Sequence, residues 1–474
     1  MLKNDQLNSI GFRWVTEHVE VMTPYGQTLL RRPHFYSRTE RNALLSELHN
    51  VEALRSAVRE NVAGVNALMR LLMPIKDITR SIENLELRTL SEVELFEVKR
   101  FLLQLELIAP QLDSLRIPLV GVKICSLPKA LDLIDPDGTR SPSFYVSDKL
   151  SERLAAIRRE RRGVDERIKL CGLSDELQHE RTRLAAEEGD ENSRVRGELC
   201  DKLRAYRAVL LENAESIGRL DLALGKARLA EKLGAVTPVF SDSFRMRGMT
   251  DPKFAEVLEE KGRSFVPVTM ELVKGSTVIT GANMGGKSIA IKTLALNCVL
   301  AMCGFAVFAE EAELPFLDDV FLMTEDHEDA MSGLSSFGGE MKAFDEMLRK
   351  TENAPCVLVL LDEFARGTNP SEGAELVKAA ARLFNRRENA YAVIATHFDG
   401  VAKLARLHYQ AAGLRNADVA AIRARIASGG ADALAEFMDY GLYPVAPDEE
   451  PPRDAVTIIH ALGVSREFTD LIEN

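Results

Sequence analysis

The stretch Gly281-Ala-Asn-Met-Gly-Gly286-Lys287-Ser288 fits the pattern G-x-x-x-x-G-K-S, and its flanks decide how it is read. A β-rich run, Thr277 to Thr280, precedes it, and a helical run, Ala290 to Leu300, follows. Strand, glycine loop and helix in that order make a phosphate-binding loop. Gly281, Gly285 and Gly286 let backbone N–H groups close around phosphate oxygens at a helix N-terminus, where the partial positive charge favours an anion. Lys287 is expected on the β- and γ-phosphates of ATP, and Ser288 on Mg²⁺.

Two further strands complete the expected site. Val357 to Leu361 is an apolar run ending in Asp362-Glu363, which puts both carboxylates at the edge where α/β sheets bind ligands. Asp362 is expected to hold the magnesium, directly or through water, and Glu363 to orient or deprotonate the attacking water. A third strand, Tyr391 to Ala395, ends in Thr396-His397. A strand-end histidine alone reads as structural, but one beside a nucleotide is a candidate γ-phosphate sensor.

From Gly234 onward, short β-rich runs alternate with helical stretches, the pattern of a doubly wound α/β domain, assigned to 236–412. Upstream, Leu44, Leu45, Leu48, Val51 and Leu54 repeat at helical spacing, so 1–120 reads as a helical core or lever domain. Pro118, Pro128, Pro136, Gly138 and Pro142 mark a break. Leu150, Leu154, Ile157, Val164, Ile168 and Cys171 then follow heptad steps, as do Leu199, Leu203, Tyr206, Leu210, Ile217, Leu220 and Leu224. Two such helices can pair as an antiparallel hairpin over 121–235, with the acidic run Glu187 to Glu191 at its far end. A helical segment around Ala417 to Tyr440 and a Pro-rich acidic linker, Ala446 to Pro452, make 413–474 a small helical C-terminus.

Composition bounds the rest. A chain of 474 residues exceeds one ordinary core, and about three domains are expected. Apolar residues at 46% and charged residues at 28% are ordinary globular values. The net charge of -12 disfavours unguided attraction to phosphate polymers. Six cysteines without a CxxC pair suggest reduced, buried thiols rather than a metal site. The N-terminus has no secretory pattern and the longest apolar stretch, Leu294 to Ala309, is too short to span a bilayer, so a cytoplasmic protein without membrane contact is expected.

TGANMGGKS, the stretch Ser332-Gly-Leu-Ser335-Ser-Phe-Gly-Gly-Glu340-Met341, LLDEFARGT and ATHF, in this order and spacing, resemble the nucleotide motifs of MutS-family ATPases. The resemblance implies a composite site: ATP in each subunit, with Ser335 of the facing subunit reaching the γ-phosphate, in a homodimer or a heterodimer with a related subunit. It also implies Phe265 stacked on adenine and Asn283 on the phosphates. The helical front, the hairpin and the C-terminus are similar to the family's core and lever, clamp and dimerisation element. Ala282 and Ile289 depart from the usual proline and threonine. No Gly-x-Phe-x-Glu wedge occurs at the front of the chain, so a short form without a mismatch-reading domain is expected.

Two clients then stand open. A DNA-structure binder is the family default and needs basic residues on the hairpin, where Arg158, Arg159, Arg161 and Arg162 form the dense cluster, although a solvated or interhelical ion-pair face explains them better. Residues 151–235 carry 18 Lys/Arg against 17 Asp/Glu, so charge alone does not select DNA. The alternative is a protein-remodelling ATPase, resembling the reactivating factors of adenosylcobalamin-dependent aminomutases such as lysine 5,6-aminomutase, for which an acidic hairpin end fits a protein surface.

Overall fold

The computed structural model describes residues 2–141, 143–281, 286–324, 336–414 and 437–446, with 418, 421, 422, 425, 449, 459 and 468. The chain divides into two compact units. One comprises Met1–Val19, His34–Leu48 and Leu229–Asn474; the other comprises Glu20–Pro33 and His49–Arg228. The segments assigned from sequence to a lever (1–120) and a hairpin (121–235) therefore share one unit over most of their length, while the first 19 residues belong with the α/β unit.

The second unit is helical. Its longest lever helix, Glu92–Leu115, starts at Ser91, whose hydroxyl accepts from the Glu94 N–H while Glu94 reaches back to the Ser91 N–H. That reciprocal cap satisfies two donors a helix start otherwise leaves open. Leu54, Leu68, Leu102, Leu105, Leu220 and Leu224 fill a shared core. One buried ion pair, Lys99 to Asp135 at 3.2 Å, is completed by the Ser143 carbonyl and by the Thr139 hydroxyl and Arg140 N–H on the carboxylate.

The hairpin turns elsewhere than expected. Glu152–Cys171 is followed after three residues by Asp175–Leu203, a single helix that contains the whole acidic run. Gly172, at φ 83°, ends the first helix in the left-handed region that suits glycine, and Ser174 caps the second by accepting from Leu177 N–H. Asp175 and Glu176 then sit at the positive end of the second helix. A single interior glycine such as Gly189 costs a helix only about 1 kcal/mol, too little to break it. The first heptad therefore packs on Leu177 and Leu184, through Ile157, Val164 and Ile168, and not on the Leu199 to Leu224 series, most of which lies in the main helical core.

Within this hairpin the acids are paired. Glu188 accepts from Arg158 Nε at 2.8 Å and from Arg161, while Arg158 also donates to Asp148 and to the Val146 carbonyl. Glu191 is buried and accepts from Arg194 and from the Ser151 hydroxyl. Arg158 and Arg161 are thus an interhelical ion-pair face.

The first unit holds two sheets. Strands β1 (Val239–Phe240), β2 (Arg245–Met249), β3 (Val268–Glu271) and β5 (Glu311–Leu314) form a small mixed sheet in the order β1-β5-β2-β3. Strands β4 (Gly275–Thr280), β6 (Asp319–Met323), β7 (Val357–Asp362), β8 (Ala390–Ala395), β9 (Leu407–Gly413) and β10 (Asp439–Pro444) form the larger one, in the order β10-β9-β4-β8-β7-β6. All of its pairings are parallel except β9 with β10. Every residue of β4, β7 and β8 is buried, as expected for a parallel sheet covered by helices on both faces.

Strand β10 corrects the sequence reading, which ran a helix through Tyr440. Tyr440, Leu442 and Pro444 alternate with Gly441 and Tyr443 along an edge that ends in proline, chemistry suited to an edge strand. Most of 413–474, with the proposed dimerisation element, lies outside the described residues. Four cysteines are buried, Cys125 is part-buried, and Cys171 at the hairpin end is exposed, against the expectation that all are covered. Among the described residues no helix is long and apolar enough to cross a membrane.

Bonds from Arg194 and Ser151 hold the Glu191 carboxyl at about 2. A depressed carboxyl contributes stability that is complete above its ordinary pKa of about 4.3 and is lost as pH falls toward the folded value. Glu191→Gln should therefore lower the melting temperature near neutral pH, with the gap to wild type closing as pH drops from about 4 toward 2. Melts followed by far-UV circular dichroism would reject ion pairing as the cause if the gap stayed constant.

Candidate nucleotide site

Register decides which side chains meet. Ile279 of β4 lies opposite Ala395 of β8, and Ala395 lies opposite Asp362 of β7. The C-terminal ends of the three strands are therefore level, and two bonds extend the ladder: Thr396 N–H to the Ile279 carbonyl and Glu363 N–H to the Ala395 carbonyl, both at 3.0 Å. Everything that follows these strands converges on one sheet edge, the usual ligand crevice of α/β folds.

The loop after β4 leaves the sheet at Gly281, where φ is 133° and an added Cβ would lie 3.0 Å from the Ala411 side chain and carbonyl. It enters the helix Lys287–Met302 through Gly286, at φ 87°. Only glycine meets both demands without strain. Lys287, on the first turn, is buried, its ammonium donating to the Gly281 carbonyl at 2.7 Å and lying 3.9 Å from the Glu363 carboxylate. Ser288 Oγ donates to Asp362 Oδ1 at 3.0 Å. The two halves of the site are thus already in contact.

Burial pushes the Asp362 carboxyl above the usual aspartate range, the Ser288 bond opposes this, and the adjacent Glu363 charge adds to the rise. A buried carboxylate and a hydroxyl offer hard oxygen ligands, and a divalent cation would relieve the charge that burial penalises, so the pair fits Mg²⁺. Glu363 stands at φ 52° with its second oxygen on Arg366 Nη1 at 2.8 Å. His397 is exposed at the end of β8, its ring 4.5 Å from that of Phe398. Phe265 is part-buried, edge-on to Phe254 at 6.5 Å. Asn283, Gly285 and Ser335 lie outside the described residues.

Three residues of this region went unnoticed in the sequence. Arg366 follows Glu363 by three positions, and Glu340 accepts the Ala365 N–H at 2.9 Å. Both stand inside recognised motifs, but nothing in their spacing shows the contacts. His408 is buried and bridges the Thr280 hydroxyl, at 2.8 Å, to the Ala446 carbonyl, at 2.9 Å. A carbonyl only accepts, so Nδ1 donates there.

Strand, glycine-bounded turn, helix and paired carboxylates thus meet at one edge of a mainly parallel α/β sheet. Residues 277–428 match MutS domain V, so this part of the chain is similar to the MutS family. The DNA mismatch repair protein MutS of Thermus aquaticus is 34% identical over 220 residues, 45% of this chain and 26% of that protein. MutS of Shouchella clausii is 30% identical over 339 residues, 68% of this chain and 36% of its own length, and endonuclease MutS2 of the same organism is 33% identical over 247 residues, 51% and 30%. The chain thus matches roughly a quarter to a third of the length of these curated relatives.

A raised aspartate disfavours its own charge in the folded chain, so at neutral pH an ionised Asp362 lowers stability. Asp362→Asn should accordingly raise the melting temperature by a few degrees in the presence of EDTA while removing any stabilisation by Mg²⁺. A fall in melting temperature with EDTA would show that the charge is compensated in some other way.

Proposed function

We propose that this chain binds and hydrolyses ATP at the edge formed by β4, β7 and β8, and acts on DNA. The observation that carries the reading is the Ser288 to Asp362 hydrogen bond at 3.0 Å, with the Lys287 ammonium buried beside it. A buried ammonium beside a metal-ready pair of oxygens at the mouth of a glycine loop suits a nucleoside triphosphate with its divalent cation better than an uncharged ligand.

In this reading the loop N–H groups, Gly281 to Gly286 with Asn283, cradle the phosphates and Lys287 moves from the Gly281 carbonyl onto the β- and γ-phosphates. Ser288 and Asp362 would hold Mg²⁺, which when bound neutralises phosphate charge. Glu363 accepts a proton from the attacking water, and His397, exposed at the next strand end, senses the γ-phosphate. Phe265 stacks on adenine. Ser335 acts across a dimer interface on the facing subunit's nucleotide, so that turnover and dimerisation are coupled.

The relatives are a DNA mismatch repair protein and an endonuclease, which supports DNA as the client class. The aminomutase alternative drew on a resemblance, on the net charge of -12 and on an acidic hairpin end. Those acids lie inside a helix, with Glu188 and Glu191 paired to arginines, and that support is withdrawn. The phosphate-gripping role considered for Arg158 also falls, because its guanidinium is committed to Glu188 and Asp148. Arg159, exposed, and Arg162, exposed and only loosely paired with Asp148 at 3.9 Å, remain the cluster's candidates for phosphate contact.

Steady-state turnover and nucleotide binding test the ATPase. Lys287→Ala should lose ATP binding, Glu363→Gln should bind normally and turn over about 100-fold more slowly, and Ser335→Ala should turn over slowly without losing the fold. Wild-type hydrolysis in Glu363→Gln would contradict the assignment. For DNA, duplex affinity should fall steeply with salt, and Arg159→Glu with Arg162→Glu should reduce both affinity and salt slope. Salt-independent binding, or none, would remove DNA as the client.

A further inference from the structure

One oxygen of the Glu363 carboxylate is bound to a guanidinium, which fixes the orientation of the whole group. Oε2 accepts from Arg366 Nη1 at 2.8 Å, and Oε1 lies 3.9 Å from the Lys287 ammonium. A general base needs a lone pair within about 2.6–3.2 Å of the water it activates, and a guanidinium bond to a carboxylate is stronger than the water contact it displaces.

The backbone enforces this arrangement. Glu363 and Ala365 both lie in the left-handed region, at φ 52° and 62°, and neither is glycine. Such residues persist only where their surroundings hold them. One holder is β8, through the Ala395 carbonyl. The other is the helix Ser336–Glu352, which touches the turn at two positions four residues apart: Glu340 accepts the Ala365 N–H at 2.9 Å, and the Phe344 ring stacks on buried Phe364 at 4.5 Å. Residues at that spacing share a helix face, so one rigid surface carries both contacts.

We propose that Arg366 and Glu340 are positioning residues that restrain Glu363, so that release of its carboxylate from Arg366 limits ATP turnover and movement of the helix Ser336–Glu352 governs that release. The inference rests on the ATPase reading above. No step of the chemistry changes: the water's proton still passes to Glu363, and the restraint alone sets how often that carboxylate is available. Nearly half of the Arg366 side chain is exposed, so its replacement need not disturb packing.

The test is steady-state kinetics on the full chain with MgATP, with ATP affinity measured separately by a fluorescent nucleotide and folding checked by thermal melts. Arg366→Gln should raise kcat at least about 5-fold with little change in KM or ATP affinity. Arg366→Lys, which keeps the cation, should stay near wild type. Glu340→Ala should raise kcat in the same way, with Glu340→Gln, which keeps an acceptor for the Ala365 N–H, close to wild type. Arg366→Gln combined with Glu363→Gln should be as slow as Glu363→Gln alone, which a merely structural role for Arg366 does not require. Unchanged or slower turnover in folded Arg366→Gln, with Glu363→Gln inactive, overturns the restraint and leaves the ATPase reading standing. Wild-type turnover in Glu363→Gln overturns both.

Discussion

The level ends of β4, β8 and β7 are the constraint on which the site depends. Lys287 and Ser288 are separated from Asp362 and Glu363 by more than seventy residues, yet Ser288 and Asp362 are in hydrogen-bond contact because Ile279, Ala395 and Asp362 share one rung of the sheet. A slip of one residue would carry the carboxylates about 3.3 Å along the strand, away from the loop. Val, Leu and Ile on both faces of these strands resist that slip, and the site inherits its geometry from them.

That dependence explains which parts were legible beforehand. The glycine loop, its strand and helix, and the Asp362-Glu363 pair are local patterns, each within about a dozen residues, and the structure has strands and a helix where the sequence suggested them. The hairpin turn was misplaced because a run of glutamates looked like a loop, whereas the deciding signals were smaller: Gly172 as a helix stop and Ser174 as a helix start. Strand β10 was missed because an edge strand with a glycine and a terminal proline carries little periodicity. Arg366 and Glu340 were unreadable, since their contacts arise from two left-handed residues that no sequence pattern announces.

The helical unit shows the same distinction between charge content and charge placement. Counted by type, its arginines and glutamates nearly cancel and favour no client. Placed, Arg158 and Arg161 are spent on Glu188 across the hairpin and Arg194 on Glu191 within its second helix, instead of presenting a basic surface. Surface ion pairs contribute little, but carboxylates as buried as these leave a costly uncompensated charge if one partner is removed. Glu188 and Glu191, two of the acids that had argued for a protein client, are structural for the same reason.

The central claim is that Ser288 and Asp362 form the metal-holding half of an ATP site completed by Lys287. The direct test is calorimetric titration of ATP into the full chain, with Mg²⁺ and with EDTA, for wild type and Ser288→Ala. The account predicts that Mg²⁺ strengthens ATP binding to wild type at least about 10-fold and that Ser288→Ala loses most of that gain while retaining the weaker metal-free binding. Equal Mg²⁺ enhancement in both proteins, or no ATP binding by wild type, would contradict it.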